Sequence, residues 1–173
     1  MPDFQGHNQP SRPRAGSGAG GGARGGAPER HPQRPGNRVA EVWPNYLRSG
    51  YFRGDGTLNP EMVSRERIGP VADCLGELTT GQMRRFFGHC RALETRMRAL
   101  GQGWNKVEAD FRKLDVAAED AHAKRPPKIP DMFYDFIKAN VAAVKCEKDF
   151  TQGFLPHFEA LVGFSAGKLR ERN

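Results

Sequence analysis

The chain has 173 residues, 37 % of them hydrophobic and 27 % charged, with a formal charge of +7. That length supports one domain with a real core. The lack of any apolar run of about 18 residues excludes a membrane-spanning helix, and the first residues lack the apolar stretch of a secretory signal. The three cysteines, Cys74, Cys90 and Cys146, are odd in number and far apart. They argue against a disulfide framework and for a reducing, cytoplasmic compartment.

The charge is unevenly placed. Residues 1–40 carry six arginines (Arg12, Arg14, Arg24, Arg30, Arg34 and Arg38) against Asp3 and Glu29, and the rest of the chain is only mildly basic. Such a balance is compatible with a polyanionic partner without requiring one. Residues 1–37 are rich in Gly, Pro, Arg and Ser and hold almost no apolar residue after Phe4. They cannot bury enough surface to offset their ordering entropy, and are read as a disordered tail. A Gly/Arg-rich tail can hold RNA weakly through charge, or be a solvated extension with no role.

A single domain is expected over 38–173. Its first apolar segment, Val39 to Phe52, fits a helix face, with Pro44 in the first turn and Gly50 placed to end it. Asp55-Gly56 marks a turn. Asn59-Pro60-Glu61 is a helix start, continued by Met62, Val63, Ile68, Val71 and Leu75. A kink or break is expected at Gly69-Pro70 and a stop at Gly76.

The best-specified stretch runs from Thr79 to Leu100. Thr79 and Gln82 form a capping box, Leu78 and Met83 a hydrophobic staple. Met83, Phe86, Phe87, Cys90, Leu93, Met97 and Leu100 then make one helical stripe. Arg84, Arg91 and Arg98, seven apart, line one flank of it; Arg85 and Arg96 lie on the far side. After Gly101 and Gly103, Trp104, Val107, Phe111, Leu114, Ala118 and Ala121 form the next stripe, with Lys106, Arg112 and Lys113 projecting away beside Asp110, Asp115, Glu119 and Asp120, a face of mixed sign. Lys124 to Pro130 is a basic connection whose three prolines rule out continuous helix. Asp131 opens a helix that buries Met132/Phe133, Phe136/Ile137, Asn140/Val141 and Val144. Phe150, Phe154, Phe158, Leu161, Val162 and Phe164 make the last, with Pro156 near its start or kinking it. No segment alternates in the manner of a strand. The fold class is all-α: a compact bundle of about five helices behind the tail.

No catalytic set is legible. Phosphate-loop, His-Glu-x-x-His and Gly-x-Ser-x-Gly patterns are missing. His89 and Cys90 are adjacent and so point apart on a helix, and Cys90 belongs to the apolar stripe. Ligand pairs at zinc spacing are missing, so no metal is expected. His122 and His157 read as surface or core residues, and Glu159 as an outward or ion-paired carboxylate.

Three segments in order carry a resemblance. Tyr51-Phe52 followed by Gly56-x-Leu58-x-Pro60-Glu61, then Leu78-Thr79-Thr80-Gly81-Gln82-Met83-Arg84-Arg85-Phe86-Phe87, then Asp149-Phe150 with Phe158-Glu159-Ala160-Leu161-Val162-Gly163-Phe164, are similar to the small subunit of the type III-A CRISPR Csm effector complex, over roughly residues 45–168. The resemblance implies a helical bundle without catalytic activity or cofactor. Several copies would line the inside of a helical ribonucleoprotein in antiviral defence, beside the repeated backbone subunit and the large subunit. They would lie along the guide RNA (crRNA) and its target RNA. Arg84 and Arg85 match the basic pair of the main motif, and Arg112 and Lys113 that of the next helix. The chain departs from the family at Val116, where an aromatic is usual. It departs again after Phe164, where Ser165-Ala166 replace a His-Lys ending. The connection from Ala123 to Pro130 and the Gly/Arg tail look like additions of this branch.

The expected RNA-binding residues are Arg84, Arg91 and Arg98, helped by Arg85, Arg112, Lys113, Lys124 and Arg125, all on phosphates and none on bases. The competing readings are a helical protein–protein adaptor whose basic flank meets acidic protein, and an enzyme, which would need a convergent polar cluster.

Overall fold

The computed structural model describes residues 36–171. Nearly all of the expected tail, with Arg12, Arg14, Arg24, Arg30 and Arg34, lies outside them. The described residues are helical, joined by turns, with isolated bridges Phe52–Leu58 and Thr79–Arg170 in place of strands. None of their helices is long and apolar enough to cross a membrane.

The first helix is shorter than the sequence suggests. Asn37, placed by the sequence in the tail, accepts from the N–H groups of Val39 and Ala40 and starts α1, Arg38–Val42. The helix stops there instead of at Gly50. Trp43 turns into the core, and Asn45 and Leu47 take positive φ angles of 61° and 56°. The chain thereby swings Tyr46 and Tyr51 inward to hydrogen-bond Asn140, a long-range gain that helical periodicity does not register. The Asp55-Gly56 turn forms as read: Asp55 accepts from the Thr57 N–H and hydroxyl, and Gly56 sits at φ 79°.

The next helix also breaks elsewhere than expected. Asn59 caps only a 3-10 turn, Pro60–Val63, and Ser64 caps a separate α2, Arg65–Asp73. Pro70 lies inside α2 without ending it. It removes one hydrogen bond, to the Glu66 carbonyl, at a place where both residues are exposed and the loss is tolerated.

Helix α3, Thr80–Leu100, carries the capping box in full. The Thr79 N–H donates to Gln82 Oε1 at 2.8 Å and the Gln82 N–H to Thr79 Oγ1 at 3.2 Å. Gly101 closes it in the left-handed conformation at φ 62°, as a C-terminal glycine does. Leu78 and Met83 are buried beneath the cap. Leu100, counted in the stripe from its spacing, is 67 % exposed, because the core ends at Met97.

A three-residue turn reverses the chain into α4, Trp104–Ala123, which packs on both α3 and α5, Asp131–Ala143. The last helical stretch begins as a π-helical segment, Asp149–Phe154, and continues as α6, Leu155–Ser165. Pro156 accounts for the widened turn: its ring clashes with the carbonyl four residues back, and the backbone re-registers from Leu155 N–H to Phe150 O. The core is aromatic. Phe111 meets Phe154 at 5.5 Å, Phe154 meets Phe158 at 5.5 Å, and Phe158 meets Phe136 at 5.5 Å. At the far end Arg170 donates its N–H to Leu78 O and accepts the Thr80 N–H, so the C-terminal segment satisfies a free donor of α3.

Candidate nucleic-acid interface

α3 buries one stripe and leaves two cationic flanks, because residues seven apart drift by only about 20° around a helix. On the first flank Arg84, Arg91 and Arg98 are all exposed and span about 21 Å along the axis at 1.5 Å per residue. Glu94 sits between them. Its oxygens take Arg91 at 2.7 Å and Arg98 at 2.9 Å, with its side chain 7 % exposed against 52 % and 73 % for the two arginines. The carboxylate is fixed by packing and fixes two guanidinium groups at the surface. Arg84 has no ion pair among the described residues. The sequence reading passed over Glu94. The available signal was its spacing, three after Arg91 and four before Arg98.

The second flank faces α4. Arg96 reaches Asp110 at 2.7 Å, and Lys113 reaches the other oxygen of the same carboxylate at 2.7 Å. These hydrogen bonds, Arg96 first, hold the Asp110 carboxyl down at about 2. The His89 Nε2–H donates to the Asp110 carbonyl at 2.9 Å. Arg96 is therefore part of the α3–α4 clamp. Toward the capped end of α3 the two helices diverge into a groove of about 560 Å³. Arg85, Lys113, Lys124 and Lys128 stand around it, and Phe86, Leu114, Ala117 and Ile129 line it below. One carboxylate, Asp120, joins the rim and pairs with Lys124 at 2.7 Å.

The eight expected RNA-binding residues thus separate. Arg85, Lys113 and Lys124 come together, with Lys128 as a fourth cation that the sequence reading left in the connection. Arg84, Arg91 and Arg98 lie along the other flank. Arg112 does not project away as expected. Its guanidinium donates to Val141 O at 2.7 Å and Val144 O at 3.3 Å, and pairs with Glu108 at 2.9 Å. It satisfies carbonyls at the end of α5 that the helix leaves unpaired. Arg125 folds back onto the carbonyls of Ala123 and Lys124 at 3.2 Å each.

Groups with chemistry elsewhere are committed to structure. His157 is buried, its Nδ1–H donating to Met62 O at 2.5 Å and its Nε2 accepting from Tyr46 at 2.6 Å. Asn140 donates to that same Tyr46 oxygen at 2.6 Å and to Phe136 O, and accepts from Tyr51 at 2.8 Å. Every polar atom of the chain of contacts is used with a neutral imidazole, and desolvation lowers the His157 pKa to about 4. Burial pushes the Cys90 thiol up to about 12, which makes it unreactive. His122 bonds Asp131 at 2.7 Å and stacks on Tyr134. Glu159 faces outward. No group of three or more His, Cys, Asp or Glu residues suited to a metal ion occurs among the described residues.

A family model described as Csm2 Type III-A matches residues 64–166, from the cap of α2 to the end of α6. No curated protein and no solved structure matches the chain.

Proposed function

We propose, from the premise that the chain belongs to the Csm2 type III-A family and is a small subunit of the type III-A CRISPR complex, that it is a non-catalytic subunit holding RNA by its backbone. In this reading it lies along the guide RNA and the target RNA paired to it. It docks on the backbone and large subunits and on neighbouring copies of itself, in the cytoplasm. A subunit that must accept any guide meets phosphates and shape, because base contacts would restrict it to some sequences.

The observation that carries the reading is the cationic array on α3. Arg84, Arg91 and Arg98 are displayed on one rigid helix capped at both ends, two of them held in place by Glu94. The non-catalytic reading is supported by the commitment of His157 and Cys90 to the core, away from this surface.

The test is to recover the chain with its partners from native cytoplasm and treat one half with ribonuclease. Small RNAs of uniform length sharing one repeat-derived end are expected in the untreated half. Absence of RNA, with partner proteins retained after nuclease, would instead make the chain an adaptor whose basic face meets acidic protein.

A further inference from the structure

We propose that the groove between α3 and α4 is a site for one unstacked nucleotide, its base on the apolar floor and its phosphate on the cationic rim. The groove is built rather than incidental. The Lys128 N–H donates to Ala121 O at 2.8 Å, and the Lys128 carbonyl accepts from Gln82 Nε2 at 2.5 Å. The side chain of the α3 capping box thus also pins the proline-rich connection. Ile129 anchors that connection at 2 % exposure, so Lys128 enters the rim from a fixed backbone.

The volume, about 560 Å³, lies in the range of small-molecule sites. The composition selects the ligand class. Four cations, Arg85, Lys113, Lys124 and Lys128, stand against two carboxylates, Asp120 in the lining and Asp110 paired to Lys113 beside it, a positive excess that favours an anion. Lys113 and Lys124 are held only in exposed pairs within one helix, which exchange readily for a phosphate. A contact to phosphate alone needs no apolar lining, whereas here Ala117 is exposed between the cations, with the edge of Phe86 beside it and Leu114 and Ile129 packed beneath. Bases freed from a stack are held in this way, by an apolar face beneath and charge beside. The inference rests on the RNA reading for the source of the nucleotide and on the groove alone for its chemistry.

The test titrates the full, isotope-labelled chain with adenosine 5′-monophosphate, ribose 5-phosphate and inorganic phosphate, following backbone amides by NMR. The nucleotide is expected to move Lys113, Ala117, Ala121 and Lys128 and to saturate at a Kd of about 1 mM, with the two base-free ligands about tenfold weaker. Ala117→Trp, at an exposed position, fills the floor and is expected to remove the preference for the nucleotide. Lys124→Glu with Lys128→Glu is expected to weaken all three ligands. Equal responses to the three ligands, shifts away from the groove, or tighter binding of a Glu/Phe-rich peptide would overturn the proposal. RNA recovery by complexes carrying Arg84→Ala and Arg91→Ala is measured alongside. Loss of RNA there, with no nucleotide in the groove, fails the groove alone. Nucleotide in the groove with RNA unaffected by the arginines fails the wider reading alone.

Discussion

His157 illustrates how a single buried group sets a condition on the whole bundle. Its pKa is lowered to about 4 in the folded chain, against about 6.5 when unfolded. Above pH 6.5 neither state takes the proton and the network is intact. Between 6.5 and 4 the unfolded chain binds it and the folded chain does not, so stability falls as pH falls, by up to about 3 kcal/mol. Denaturant unfolding across that window is expected to show the loss, and His157→Phe to flatten it at the cost of the partners of the Met62 carbonyl and the Tyr46 O–H donor, whose oxygen still accepts from Asn140. Gly153 sets a steric condition. A Cβ there would lie 2.6 Å from the Tyr51 ring, which its hydrogen bond to Asn140 holds in place. Gly153→Ala is expected to destabilise by about 1–3 kcal/mol in thermal unfolding. Neither constraint was legible in the sequence, since each depends on residues brought together from about a hundred positions apart. Glu94 differs: its spacing to Arg91 and Arg98 is local and legible, but a carboxylate on an apolar stripe conflicts with the helical pattern and so its burial is not.

Among the elements, α3 was readable almost to the residue because its signals are local. Thr79 and Gln82 satisfy each other's N–H groups within one turn, and Gly101 supplies the left-handed stop. Thr79→Ala is expected to lower unfolding stability by about 1 kcal/mol, measurable in urea, with Thr79→Ser restoring most of it. The stripe of α4 was equally plain, from Trp104 to Ala121. The Val39–Phe52 segment misled because its apolar spacing fits a helix, while the chain there follows the demands of Tyr46 and Tyr51 on Asn140. Arg112 shows the same limit at the surface. Spacing put it on an outward face, but its length lets it cap α5. Arg112→Met is therefore expected to loosen the end of α5, read as faster amide exchange at Val144 and the residues after it, and to leave RNA recovery by the complex unchanged.

At the scale of the whole molecule, an aromatic core holds α3 rigid, and the outward sides of α3 carry cations at fixed spacing. A rigid array of this kind suits a polyanion whose sequence varies and whose backbone does not. The all-α bundle and the family were readable from pattern and motif order. The division of the α3 arginines between two flanks was readable as well, from their spacing; the restraint of one flank by Glu94 and the groove ringed by the other needed the structure. The most direct measurement is the salt dependence of RNA binding by the assembled complex, comparing the native chain with Arg84→Ala/Arg91→Ala and with Arg112→Met. Each lost phosphate contact should lower the slope of log affinity against log salt by about one. The double variant is expected to lose about two per copy in contact, evenly across guide sequences, and Arg112→Met none. An unchanged slope in the double variant, or a loss confined to some guide sequences, would contradict the backbone-holding role of α3.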